Sequence, residues 1–90
     1  MRIEDWKGKK IVCGHIFPAS DIKPGSVWAS ASLGGYTVTV EKVVARSWVF
    51  QGKVRTSYDV YYRENDGQKR LLDKDHFSFQ CRYCLVLEDI

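Results

Sequence analysis

Four side chains of metal-ligating type stand in two short spacings, Cys13-x-His15 early in the chain and Cys81-x-x-Cys84 late in it. Three sulfurs and one imidazole form the donor set of a structural zinc site, which closes tetrahedrally around the ion. Local pattern argues against that use. The segment 77 to 87 reads as a period-two alternation, which would turn Cys81 and Cys84 to opposite sides of a strand. Leu85 and Val86 follow the second cysteine, where a zinc knuckle places a glycine. The plainer assignment makes Cys81 a small core residue and Cys84 a partly exposed one. Nucleophilic chemistry at sulfur needs a lowered thiol pKa and a base, with His15 and His76 as the candidates. On one strand face Cys13 and His15 would lie about 6 to 7 Å apart, too far for direct proton transfer. Asp73-x-Asp75 offers two carboxylates for a divalent cation, or a cap on a short helical turn from Asp73. The chain carries none of the glycine-rich phosphate loops or the Gly-x-Ser-x-Gly elbow, so nucleotide hydrolysis and serine chemistry lack their signatures. The expectation is a protein without catalytic residues and without a cofactor.

A second constellation mixes rings and cations. Arg55, Tyr61 and Arg63 share the polar side of one alternating segment, and Trp28, Arg46 and Trp48 stand close to turn residues. Aromatic rings stack on bases, and guanidinium groups pair bidentately with phosphate, so this mixture suits nucleic acid or a small nucleotide. Tyr, Trp and Arg also dominate protein interface hot spots, which makes a protein partner the competing reading. The structural alternative buries the tryptophans in the core and leaves the arginines solvated.

These residues need strands to position them. Gly34-Gly35 opens an alternation with Tyr36, Val38 and Val40 on one side and Thr37, Thr39 and Glu41 on the other. The adjacent polar pair Glu41-Lys42 shifts the phase and signals a bulge. Val54, Thr56, Tyr58, Val60 and Tyr62 make the next inward face, opposite Arg55, Ser57, Asp59, Tyr61 and Arg63. Gln51-Gly52 and Asn65-Asp66-Gly67 supply residues that tolerate positive φ, so three antiparallel strands follow as a meander through Leu72. A first strand is expected near Lys10 to Phe17, a short one at Ser26 to Ser30 after Pro24-Gly25, and a closing segment through Phe77 to Leu87. Ile3 to Lys7 is read as a possible helical turn.

Short, bent antiparallel strands in so small a chain favour barrel closure, which removes exposed edges. The fold expected is all-β, an SH3-like barrel of about five strands with little helix; an OB-fold lacks its amphipathic helix here. Residues 1 to 22 are read as an N-terminal extension with the first strand, and residues 23 to 90 as the barrel body. Lys23-Pro24-Gly25-Ser26-Val27-Trp28, the valine-rich run Thr37 to Val44, Tyr58 to Tyr62, Asp75-His76-Phe77 and Arg82-Tyr83 together resemble short bacterial and phage proteins with SH3-type barrels. That resemblance covers about residues 23 to 87 and implies the barrel fold rather than a function, with no catalytic residues to transfer. It leaves Cys13 and His15 without a counterpart.

Composition sets the outer limits. The sequence has 90 residues, 44% hydrophobic and 28% charged, which fits one ordered domain able to bury a core. Its formal net charge of +3 is modest for a domain that lives on nucleic acid. The 3 cysteines cannot all pair within one chain, which fits reduced thiols and a cytoplasmic location. No apolar run reaches the ~18 residues of a membrane span, and no membrane partner is expected. The readings that emerge are a binding module for an anionic ligand, nucleic acid or small nucleotide, and a protein-interaction module such as a phage inhibitor of a host protein. A small zinc-stabilised β domain is the third, and self-association is left open.

Overall fold

The computed structural model describes residues 1–30, 34–67 and 69–87. Seven strands form one antiparallel sheet: β1 (Arg2–Trp6), β2 (Lys9–Cys13), β3 (Val27–Ala29), β4 (Thr37–Phe50), β5 (Lys53–Glu64), β6 (Arg70–Asp73) and β7 (Cys84–Leu87). They lie in the order β1-β2-β7-β3-β4-β5-β6. Among the described residues no ladder joins β1 to β6, so the sheet is a curled half-barrel with two edges, and those residues form seven strands where the sequence suggested about five. The meander β4-β5-β6 is the one anticipated, with its register shift between Val40 and Lys42 where Glu41-Lys42 breaks the phase. Gln51 and Gly52 turn the hairpin with φ of 50° and 73°, the two left-handed residues of the turn type that matches strand twist.

Three expectations fail at the ends of the chain. Ile3 to Lys7 is not a helical turn; Lys7 and Gly8 take φ of 48° and 78°, making a tight turn that pairs β1 with β2. The early strand ends at Cys13 rather than Phe17, because Gly14 swings to φ of 69°. Residues 77 to 87 are not one strand. Helix α1 (His76–Arg82) precedes β7, and its cap is Asp75, whose carboxylate accepts a hydrogen bond from Phe77 N at 3.2 Å. Asp73, the cap expected from the sequence, belongs to β6 and forms an ion pair with Arg82. The N-terminal strands are part of the sheet as well, since β2 pairs with β7.

The core fills the inner, concave face. Ile22, Trp28, Val38, Val40, Val60, Tyr62, Phe79 and Tyr83 are buried together there. Phe79 is the hub: its ring centroid is 5.1 Å from Trp28, 5.0 Å from Tyr62 and 5.0 Å from Tyr83. Helical spacing puts Phe79 and Tyr83 on one side of α1 while Phe77 turns outward, so the phenylalanines of this segment mimic a strand pattern without forming one. Gln80 fastens the loop before β3 to α1, accepting from Phe17 N at 2.7 Å and donating to Phe17 O at 2.9 Å. A smaller cluster of Ile11, Cys13 and Ala29, covered by Trp6, Cys84 and Val86, lies on the other side of the sheet.

Beyond this core the β4-β5 hairpin continues alone. Every residue from Val44 to Thr56 is exposed. At ~3.4 Å per residue the 14 residues of β4 extend about 48 Å, in keeping with a longest dimension of 49 Å against 29 and 25 Å for the others. No helix of the described residues is long and apolar enough to cross a membrane.

Candidate functional site

Strand pairing decides which side chains share a surface. Val60 and Tyr62 face the core, so their alternates Arg55, Ser57, Asp59, Tyr61 and Arg63 occupy the outer, convex face of β5. Their cross-strand partners are Lys42 opposite Tyr61, Val44 opposite Asp59, Arg46 opposite Ser57 and Trp48 opposite Arg55. The bulge makes this possible. Without the phase shift at Glu41, the positions of Lys42, Arg46 and Trp48 would fall on the inner face.

The outer face is therefore a ladder of rings and cations. Lys42 Nζ sits 4.7 Å from the Tyr61 ring centroid, and the Arg46 guanidinium lies 5.2 Å from that of Trp48. Both distances are within the range of cation–π attraction. Arg46 Nε also approaches Asp59 Oδ2 at 3.3 Å, which anchors the guanidinium beside the indole. Arg70 Nε reaches Glu41 Oε1 at 3.5 Å at the base of the ladder. Among the described residues Lys53, Arg55 and Arg63 have no carboxylate within ion-pair distance, so their charge faces solvent. Trp48 keeps 42% of its surface exposed and Phe50 54%, large values for rings that the fold could have covered.

Five of the six ligand-binding candidates, Arg46, Trp48, Arg55, Tyr61 and Arg63, thus lie on one face of one hairpin. Trp28 does not. It is 1% exposed at the centre of the core, and its indole Nε1 donates to Ser26 Oγ at 3.0 Å. Phe17 and Phe79 pack edge-on against its ring, with centroids 6.0 and 5.1 Å away, and this cover removes it from the hairpin's outer face. Lys42, Phe50 and Lys53 belong to the face but were missed in the sequence. The signal was present: alternation carried past the bulge gives Lys42, Val44, Arg46, Trp48 and Phe50 on one side.

The sulfur and imidazole candidates also come near one another. Cys13, His15, Cys81 and Cys84 all line one depression of about 600 Å³ between the β2 end and α1, together with Arg2 and Arg82. They do not form a ligand cage, for no group of three metal-ligating side chains among the described residues is arranged to hold an ion. His15 packs edge-on against Phe17, with centroids 4.5 Å apart. His76 stands against Tyr58 at 5.7 Å, with Nδ1 3.4 Å from Gln80 Nε2, and among the described residues Cys13 has its sulfur contact with Cys84 rather than with an imidazole. Cys81, assigned to the core from the sequence, is exposed on α1; Cys84 is half-buried, as assigned, and the buried thiol is Cys13. Its thiol is pushed up to about 12, mainly by burial and then by the Cys84 side chain beside it. Such a thiol stays protonated near neutral pH.

A second depression, about 660 Å³, runs along the inner face at the root of the hairpin. Ile22, Pro24, Val43, Ala45, Tyr58 and His76 are among its lining residues, and the two carboxylates at Asp73 and Asp75 are spent on Arg82 and the helix cap. No family model, no curated protein and no solved structure matches this chain.

Proposed function

We propose that this protein is a non-enzymatic binding module that holds single-stranded nucleic acid along the outer face of its long hairpin. One observation carries the reading: cations and rings alternate on a strand pair that the fold leaves bare, with Lys42 over Tyr61 and Arg46 over Trp48. A face built this way offers bases a ring to stack on and offers phosphates the free charge of Lys53, Arg55 and Arg63. The curled sheet is read as an opened SH3-like barrel, in which the hairpin is the arm and the core the base. A small nucleotide would engage a single ring–cation pair of the same ladder.

The test is a titration of the hairpin tryptophan fluorescence with single-stranded oligonucleotides of increasing length at two salt concentrations. Affinity is expected to rise with length and to fall steeply with salt, at a logarithmic slope of about −0.7 per phosphate neutralised. A length-independent affinity would point to a mononucleotide ligand. An absence of binding to every oligonucleotide would reject the reading.

A protein partner is the second reading, favoured by the hairpin tip. There Val49 and Val54 are 72% and 73% exposed beside Phe50, an apolar end unlike the polar rim of the sheet. In this form the arm would insert into a host protein's surface, as an inhibitor does. Its binding would change little with salt, because buried rings rather than counterion release would supply the affinity.

A further inference from the structure

Among the described residues the thiols of Cys13 and Cys84 meet, at a place the outer face of the hairpin does not use. Their Sγ atoms are 3.0 Å apart. We propose that they are a modification site, a thiol pair that a low-molecular-weight disulfide converts to a Cys13–Cys84 cross-link.

Backbone register, rather than side-chain freedom, brings the sulfurs together. The pairs Lys10–Leu87, Ile11–Val86 and Val12–Leu85 run in sequence along β2 and β7, and the next step sets Cys13 opposite Cys84. Cys84 is held from its other side by Ala29 of β3. Directly opposed residues of antiparallel strands have Cα atoms about 4.5 to 5.5 Å apart, inside the roughly 4.4 to 6.8 Å that a disulfide spans. Bond formation therefore requires only side-chain rotation. The partners differ in access: Cys13 is buried, and Cys84 is half-buried on the border of the depression that also contains Arg2 and Arg82. Both guanidinium groups are already paired, Arg2 with Glu4 and Arg82 with Asp73, so access through the depression rather than charge admits the reagent.

The chemistry balances in two exchanges. The Cys84 thiol gives its proton to solvent, and its sulfur attacks one sulfur of the external disulfide, forming a mixed disulfide and releasing the first small thiolate. Cys13 then loses its proton, and its sulfur attacks Cys84 Sγ, breaking the mixed disulfide and expelling the second thiolate. The two small thiolates take up the two protons. The protein is oxidised by two electrons and the external disulfide is reduced to two thiols. Cys13 is unsuited to the first step, being buried and protonated, and well placed for the second.

Closure would tie the N-terminal hairpin β1-β2 to the C-terminal strand β7, joining residues 71 apart in sequence. A loop of that size strongly restricts the unfolded chain, so the melting temperature should rise by at least about 8 °C.

The experiment treats the full chain with oxidised glutathione, alkylates the remaining thiols, and maps the disulfide by peptide mass spectrometry without reduction. The expected product is monomeric, lacks the mass of two hydrogen atoms, contains a Cys13–Cys84 peptide pair and has Cys81 alkylated. The C81S variant should give the same cross-link and the same rise in melting temperature. A Cys81–Cys84 link, a disulfide-bonded dimer, a stable glutathione adduct or alkylation of all three thiols would each overturn the proposal. The outcome is independent of whether the hairpin binds nucleic acid.

Discussion

The two halves of the β4-β5 hairpin are built from the same strands, with the same alternation, and do opposite work. Near the base, Val38, Val40, Val60 and Tyr62 are covered by Trp28 and α1, and none is more than 2% exposed. Toward the tip, the same inward positions hold Ser47, Val49, Val54 and Thr56, all of them exposed. The lesson is that strand pattern fixes which residues share a face, whereas only a third element decides whether the face becomes core. A bare two-stranded ribbon has little stability of its own. Its ladder hydrogen bonds, the Gln51-Gly52 turn and the ring–cation contacts hold it as an extension of the folded base. Residues at the base should therefore govern stability, and residues on the outer face toward the tip should govern binding.

The sharpest contrast is between Phe79→Ala and Trp48→Ala. Removing the hub of the core is expected to cost about 3 to 5 kcal/mol in urea denaturation, by lost burial and a cavity among Trp28, Tyr62 and Tyr83. Trp48→Ala should leave the denaturation midpoint nearly unchanged and weaken oligonucleotide binding by about 1 to 3 kcal/mol, the worth of one stacked base. If Trp48→Ala unfolded the protein instead, the division between base and tip would be wrong.

The cations should give a smaller and more specific effect. Arg55→Ala and Arg63→Ala each remove a solvent-facing charge without a partner among the described residues. Each is expected to reduce oligonucleotide affinity a few-fold and to make the salt slope shallower by about 0.7, while the melting curve is retained. Unchanged affinity in both variants would remove this face from consideration.

The smallest effect concerns protonation near the base. Burial, then neighbouring side chains, raises the Cys13 thiol to about 12, and burial together with the Tyr36 hydroxyl raises the Tyr83 phenol. Both groups keep their protons in the native protein where the unfolded chain releases them, so the native state binds more protons in that range. Their contribution is complete below about pH 8.5, the ordinary thiol value, and declines with rising pH. Denaturation midpoints measured from pH 7 to 10.5 should fall, and those of Cys13→Ala should fall less.

Much of this division can be read from residue types, and the failures have physical causes. The bulge at Glu41-Lys42, the Gln51-Gly52 turn and the meander are local features, set by phase and by tolerance of positive φ. The grouping of Arg55, Tyr61 and Arg63 follows from strand period alone. Trp28 was ambiguous because a tryptophan beside a turn has the same local sequence whether its ring is covered or free; the packing of Phe17 and Phe79 on it, from segments distant in sequence, resolves it. Helix α1 was hidden because its 7 residues span barely two turns, and Phe77 and Phe79 imitate a strand. The nearness of Cys13 to Cys84 depends on pairing between strands at opposite ends of the chain, which no local pattern encodes.

The central claim, that the outer face of the hairpin is the binding surface, is tested most directly by amide chemical-shift mapping during titration with a single-stranded oligonucleotide. The account expects perturbations concentrated at Lys42, Arg46, Trp48, Lys53, Arg55, Tyr61 and Arg63, with the buried residues around Phe79 unmoved. Perturbations centred on the depression at Cys13 and Cys84 or along the inner face, or none at saturating oligonucleotide, would contradict it.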